Sequence, residues 1–180
     1  PSVPETYSAN THAGYTYADV VNRNTYMIEL DTTAIPLHQW RTPALRAFHK
    51  VLMPGPTVDG IERLMNLDLV KNNKDLKVLN MSELTPLAAE IPFALETGSD
   101  YPLWFHKGVG MFDKETKMFV DRVNNKYYDL VIFEYVPYSN NFYPFKVREA
   151  LQANYSRIDT FPVPRNPSSH AWVEIYVQEK

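Results

Sequence analysis

The feature that most constrains the fold is a short run of β-branched and aromatic residues in the last third of the chain. Residues 128–135 read YDLVIFEY, and the run stops at Pro137. A continuous apolar run of this length, ended by proline, is typical of a strand that is buried on both faces of a sheet. A helical segment at 144–154 and two extended runs, 156–163 and 170–177, follow it. This order predicts an α/β domain that ends in an antiparallel hairpin.

The preceding part of the chain alternates between strand and helix patterns. Strand character is found at 25–31 (TYMIELD) and at 77–81 (KVLNM). Helical patterns and helix-start signals predict helices at 43–53, 58–72, 87–91 and 113–124. Alternation of this kind is typical of a sheet that is covered by helices on both faces. The sequence therefore predicts a three-layer, Rossmann-like sheet that is mostly parallel.

Length and composition predict one folded domain. The chain has 180 residues, which suffices for one domain with a full hydrophobic core and is short for two. Hydrophobic residues make up 44% and charged residues 22%, close to the averages for soluble globular proteins. Residues 1–24 lack sustained periodicity and are predicted to form a surface arm, whereas 25–180 form a single α/β domain.

The charge and hydropathy patterns argue against two classes of partner. The net charge is −3 and the lysines and arginines form no stripe, so no nucleic-acid partner is expected. No run approaches the roughly 20 apolar residues that span a bilayer, so this piece is not expected to insert into a membrane. Because the chain begins at Pro1, we expect it to be part of a longer protein.

Two carboxylates lie where an α/β domain keeps its ligands, beyond the carboxyl ends of parallel strands. Glu83 follows the 77–81 strand, and Glu134 lies near the end of the 128–135 run. A glutamate buried at this position would have a raised pKa and could act as a general base or bind a sugar hydroxyl. In the alternative interpretation, Glu134 lies on a solvent-facing edge of the sheet. The loop after this strand, with Tyr138 and Asn140, completes the predicted ligand site.

A second group of candidates follows a Trp-Phe pair in the middle of the chain. Lys107 and the glycine pair beginning at Gly108 could hold a phosphate through the lysine and bare backbone amides, and His106 stands beside them. The alternative is a simple turn.

Two kinds of bound group are not expected. The 78–81 strand is followed by Ser-Glu-Leu-Thr-Pro without a glycine, so no nicotinamide or flavin cofactor is expected. The five histidines show no i, i+3 or i, i+4 pairing, so no metal site is expected either.

The last 50 residues or so resemble the C-terminal part of class I methyltransferases. The resemblance rests on DLVIF, on the helical Arg148-Glu149-Ala150-Leu151 and on the RIDTFPV and AWVEIYV runs. It implies a group-transfer enzyme with a doubly wound sheet closed by an antiparallel hairpin. The chain departs from the family because the glycine-rich cofactor turn is missing.

A wider resemblance covers residues 58–177 and rests on VLNMSELTPLAAEI, PLWFHKGVGMFD, YYDLVIFEYVP and WVEIYV. These runs are similar to the extracytoplasmic C-terminal domains attached to multi-spanning bacterial glycosyltransferases of the lipid-linked-sugar type. The resemblance implies a periplasmic or cell-surface module whose partner is a carbohydrate or the membrane part of its own parent chain. A non-catalytic accessory or binding domain is therefore the first functional hypothesis, and a group-transfer enzyme is the alternative.

Overall fold

The computed structural model of the chain describes residues 35–91, 111–137, 140, 142–165 and 170–178. All of them fall within the unit Thr33–Lys180. The predicted arm at 1–24 and the predicted strand at 25–31 lie outside the described residues.

Helices and strands alternate along the described residues, with short 3₁₀ turns between some of them. The helices are α1 (Gly55–Met65), α2 (Asp68–Asn72), α3 (Phe112–Asn124) and α4 (Phe145–Asn154). The strands are β1 (Trp40–Arg41), β2 (Met53–Pro54), β3 (Val78–Met81), β4 (Leu130–Tyr135), β5 (Tyr155–Pro162) and β6 (Trp172–Gln178). The 3₁₀ turns are Leu37–Gln39, Arg46–Phe48 and Thr85–Ala89.

The strands form two sheets of different size. β1 and β2 pair as a short antiparallel ribbon, and the other four strands form a mixed sheet in the order β3-β4-β6-β5. β3 is parallel to β4, whereas β6 is antiparallel to both of its neighbours. β3, β4 and β5 therefore end at the same edge, where β6 begins. We call this the strand-end edge.

The predicted Rossmann-like, mostly parallel sheet is wrong. Two of the three strand pairings in the larger sheet are antiparallel, and β6 separates β4 from β5. The apolar run of β4 suggested parallel neighbours because parallel strands are usually covered on both faces. Burial on both faces produces the same run whatever the direction of the neighbouring strand. The antiparallel pairing of the last two strands is confirmed.

Some predicted helices also differ from the observed ones. The predicted helix at 43–53 is wrong, because this segment contains only a 3₁₀ turn and then β2, whose pairing with β1 overrides the local helix signal. The segment 87–91 is likewise replaced by the 3₁₀ turn Thr85–Ala89. The predicted helix at 58–72 is divided into α1 and α2 at Asn66 and Leu67.

The larger sheet buries a different apolar cluster on each face. On one face, Ile132 of β4 and Ile175 of β6 belong to the same cluster as Ile61 of α1. On the other, Phe133 of β4 clusters with Phe119 of α3. Consecutive residues of a strand point to opposite faces, so one short strand supplies side chains to both clusters. The strand ends are thereby held between helices on either side.

Strand β5 is the outer strand of the described sheet next to β6, and its pairing is irregular. The register shifts between Arg157 and Asp159, so that Ile158 is bulged and 44% exposed. The carboxylate of Asp159 accepts hydrogen bonds of 2.8 and 3.0 Å from Arg63 of α1. A bulge of this kind bends the strand and interrupts its ladder.

Helix α1 approaches β5 closely at Gly60. A Cβ atom built on Gly60 would lie 2.2 Å from Cγ of Phe161 and 2.6 Å from its Cβ. Phe161 is almost fully buried, so its ring has little freedom to move away. Only a residue without a side chain fits between the helix and the strand at this point.

We expect Gly60→Ala to destabilise the fold even though alanine favours helices. Overpacking against a buried ring costs about 2 kcal/mol, which exceeds the roughly 1 kcal/mol gained in helix propensity. Urea unfolding of the single variant and of Gly60→Ala in a Phe161→Ala background measures the coupling between the two positions. An equal cost in both backgrounds would contradict the assigned clash.

Candidate functional site

Glu134 is a buried carboxylate at the strand-end edge. It is 4% exposed and accepts a 2.8 Å hydrogen bond from the main-chain N–H of Glu83. The parallel register that pairs Met81 with Phe133 brings the end of β3 beside the end of β4. The two glutamates that the sequence proposed as site residues therefore lie together.

The pKa of Glu134 is raised to about 7. Burial is the largest cause, because a charged carboxylate loses its hydration inside the protein. The N–H of Glu83 lowers the pKa, the negative charge of Glu83 raises it, and the positive charge of Arg165 lowers it. Both protonation states of Glu134 are consequently populated near neutral pH, as a proton donor or acceptor requires.

Arg165 joins the β5–β6 connection to the end of β3. Its Nε lies 2.6 Å from Oε2 of Glu83, and its Nη2 bonds the other carboxylate oxygen. The side chain of Arg165 is 76% exposed, so this ion pair adds little to stability. Its bidentate geometry nevertheless fixes how Glu83 is oriented beside Glu134.

Tyr143 is the fourth member of this group, which we call the acidic corner (Glu83, Glu134, Tyr143 and Arg165). Burial raises the pKa of the Tyr143 hydroxyl, and the negative charges of Glu134 and Glu83 raise it further. The hydroxyl therefore stays protonated and remains a hydrogen-bond donor. Its ring lies edge-on to Phe133, with the ring centres 6.4 Å apart.

Three half-buried rings form a row at the same edge: Tyr135, Phe145 and Trp172. We call them the aromatic row. The centre of the Tyr135 ring lies 5.2 Å from that of Phe145 and 5.1 Å from that of Trp172. The guanidinium of Arg148 lies 4.0 Å from the centre of the Tyr135 ring, at the distance of a cation–π contact.

The aromatic row is anchored by a fully buried carboxylate, Glu174. Arg148 donates to both of its oxygens, at 2.8 and 2.7 Å. Further donors are Arg157 at 3.0 Å, the indole N–H of Trp172 at 2.8 Å and the hydroxyl of Tyr176 at 2.8 Å. These bonds orient Arg148 and Trp172, the two groups that contact the Tyr135 ring from the guanidinium and indole sides.

The two buried glutamates of the sheet have opposite electrostatic environments. Burial alone would raise the pKa of Glu174, but hydrogen bonds from Arg148, Trp172 and Tyr176 outweigh it and hold the pKa below its ordinary value. Glu174 is thus an ionised structural group at neutral pH. Glu134 has a weaker set of donors and stays close to its titration point. Because the pKa values of the two carboxylates are shifted in opposite directions, Glu134 is the one available for function.

The other proposed site residues have different outcomes. The amide oxygen of Asn140 accepts a 2.9 Å hydrogen bond from the N–H of Phe145, so it satisfies one of the free N–H groups at the start of α4. His106, Lys107, Gly108 and Tyr138 lie outside the described residues, and their proposed roles remain predictions.

Several residues of this edge were missed in the sequence. Arg165 and Tyr143 lie in connections between elements, and nothing in their neighbourhood indicates that they approach Glu134. Glu174 did carry a signal: it stands in the middle of an apolar strand, two residues from Trp172 and from Tyr176. Side chains two apart on a strand share a face, so a buried, hydrogen-bonded carboxylate was predictable.

Neither a cluster suited to a metal ion nor a membrane-spanning helix is found in the described ranges. No group of three or more histidine, aspartate or glutamate side chains suited to a metal ion occurs among the described residues. Within the same part of the chain, every helix is too short or too polar to cross a bilayer.

Comparisons of the chain with protein-family models, with curated proteins and with solved structures found no match.

We expect Glu134→Gln to stabilise the protein above neutral pH. Between the ordinary pKa of 4.5 and the folded value of about 7, the native state binds more protons than the unfolded state. Stability therefore falls as the pH rises through this window and stays low above it. Glutamine carries no charge and can still accept from Glu83, so the gain near pH 8 should be up to roughly 3 kcal/mol, with almost none near pH 5.

Urea unfolding at both pH values measures this difference. Glu149→Gln, which changes an exposed glutamate of α4, is the matched control and should alter neither value. A gain of the same size at low and at high pH would contradict a raised pKa at Glu134.

Glu174→Gln should have the opposite effect. Removing this charge leaves the partly buried guanidinium of Arg148 without its ionic partner, and loss of one member of a buried ion pair costs about 3 kcal/mol or more. Because the pKa of Glu174 is lowered, the stabilisation it gives is lost as the pH falls below its ordinary value of 4.5. The cost of the substitution should therefore be largest at neutral pH and shrink in acid, as urea unfolding across this range will measure. A cost that does not depend on pH would refute this assignment.

Proposed function

We propose that this chain is a carbohydrate-binding accessory domain whose site is the strand-end edge. The observation that carries the proposal is the anchored aromatic row at this edge; the acidic corner lies at the same edge, but Glu134 points to the other face of the sheet. Sugars present apolar C–H faces together with hydroxyls, and they suit a surface that combines aromatic rings with a few fixed polar groups. Trp172 and Phe145 supply the rings, whereas Glu83 and the exposed Arg165 at the same edge supply an acceptor and a donor.

The fixed orientation of Trp172 supports a binding role. Ordering a surface before the ligand arrives removes part of the entropic cost of association. The indole of Trp172 is held by Glu174, and Tyr135 lies between Phe145 and Trp172. Burying a charged network has a desolvation cost, so we expect the orientation that it gives to the half-exposed rings to be used in binding.

We further propose that the domain belongs to a larger, membrane-attached, glycosyltransferase-like bacterial protein and lies on the extracytoplasmic side. The sequence resemblance over residues 58–177 supports this setting. In it, catalysis belongs to the membrane part of the parent chain, and the present domain binds carbohydrate or that membrane part.

A group-transfer enzyme is the second candidate, and one observation favours it. The pKa of Glu134, at about 7, is suited to a general base at neutral pH. In this case Glu134 would take the proton from an acceptor hydroxyl. A thermal-shift panel with S-adenosylmethionine and nucleotide sugars tests this candidate, since a ligand at 100 times its Kd adds about 2.7 kcal/mol of stability. Stabilisation by a donor, with turnover lost in Glu134→Gln, would replace the binding proposal.

Trp172→Ala should weaken oligosaccharide binding about tenfold or more, because stacking area and rigidity are lost together. Trp172→Phe keeps a ring but loses the N–H to Glu174, so it should fall between the wild type and Trp172→Ala. An oligosaccharide array followed by titration calorimetry gives the affinities. Tyr127→Ala, which removes an exposed ring at the opposite edge of the sheet, should leave them unchanged. If no oligosaccharide binds, or if both tryptophan variants bind like the wild type, the proposal is wrong.

A further inference from the structure

A second surface feature runs along the outer side of α3, from its first turn to the residues that follow its end. It is an open groove of about 450 Å³. Its volume is within the range of small-molecule sites. Its lining residues are Lys114, Lys117, Met118, Asp121, Arg122, Asn125 and Tyr127.

Basic side chains dominate the groove. Three lining residues are cationic and one, Asp121, is anionic, although the whole chain has a net charge of −3. Asp121 lies 2.9 Å from Lys117, and both side chains are largely exposed, so the pair is weak. The groove is therefore a local region of positive charge on an acidic protein.

The exposed ring of Tyr127 contacts two cations, of which Arg122 lines the groove and Lys77 lies beside it. Nζ of Lys77 lies 4.6 Å from the ring centre, and the guanidinium carbon of Arg122 lies 5.2 Å from it. The Tyr127 ring is fixed in turn by an edge-on contact with the buried ring of Tyr128, at 5.1 Å and 90°. Arg122 also donates to the hydroxyl of Tyr128 at 3.4 Å. The ring thus holds the cations in place beside the groove.

The end of α3 is closed by hydrogen bonds within its own last turn. Lys126 adopts a left-handed conformation with φ of 52°, and the N–H groups of Lys126 and Tyr127 bond the carbonyls of Val123 and Arg122. This is the Schellman arrangement, which satisfies acceptors that would otherwise face solvent. The same turn brings Tyr127 back beside the helix.

We propose that the groove on α3 binds a small molecule carrying a phosphate monoester. Lys114, Lys117 and Arg122 supply charge-assisted donors for the phosphate oxygens. Met118 and Tyr127 supply apolar surface for the organic part. This site shares no residue with the proposed carbohydrate surface and does not depend on it.

The proposal is tested by following amide chemical shifts of the wild-type protein during titration with glucose 6-phosphate, inorganic phosphate and glucose. Glucose 6-phosphate should shift the amides of α3 and of residues 125–127. It should bind more tightly than inorganic phosphate, and glucose should leave these amides unmoved. The affinity should fall several-fold between about 50 and about 200 mM salt, since the contact is ionic.

Substitutions in the groove and at a lysine outside it distinguish binding in the groove from a general effect of positive charge. Lys114→Gln with Lys117→Gln removes two exposed cations and should weaken glucose 6-phosphate binding about tenfold or more. Tyr127→Ala should weaken it as well, whereas Lys146→Gln, an exposed lysine of α4, should not. Amide spectra confirm that each variant is folded.

Three results would overturn the proposal. The first is that glucose 6-phosphate shifts amides outside α3 and residues 125–127. The second is that the double lysine variant binds glucose 6-phosphate as tightly as the wild type. The third is that the protein binds vesicles of phosphatidylcholine and phosphatidylglycerol but not the soluble phosphate.

Discussion

The carboxylate of Glu174 has no contact with water, and the arrangement of one face of the sheet follows from that constraint. An ion removed from water must be matched by donors of good geometry, or the fold loses several kcal/mol. Arg148 comes from α4, Arg157 from β5, and Trp172 and Tyr176 from β6 itself. A single charge therefore connects a helix and two strands, and it orients the rings at the strand-end edge.

Glu134 shows what happens when the same chemical group lacks such a set of donors. Glu134 lies on the neighbouring strand and is nearly as buried as Glu174. Its pKa is nevertheless raised, whereas that of Glu174 is lowered. This difference in pKa comes from the surroundings. Glu134 lies beside a backbone N–H and a second carboxylate, whereas Glu174 lies beside two guanidinium groups. The sheet thus has one carboxylate that fixes structure and one that can exchange a proton near neutral pH.

The sequence predicted those parts of this fold that depend on local chemistry. Helices α3 and α4 and strand β4 lie close to their predicted bounds, because apolar periodicity and flanking breakers define each of them. The place of β6 between β4 and β5 was not predictable, since strand order is decided by pairing between distant segments. The candidate site divides in the same way: Glu83 follows β3 and Glu134 lies near the end of β4, so both were candidates from the sequence, whereas Arg165 reaches Glu83 from 82 residues away.

The bulge in β5 has a consequence for how copies of this domain behave in concentrated solution. An outer strand with a regular row of unpaired amides can recruit a strand from another molecule. In β5, Ile158 interrupts that row, and the charged Arg157 and Asp159 stand on either side of it. In the sheet formed by the described strands, β5 is consequently a poor template for intermolecular strand pairing.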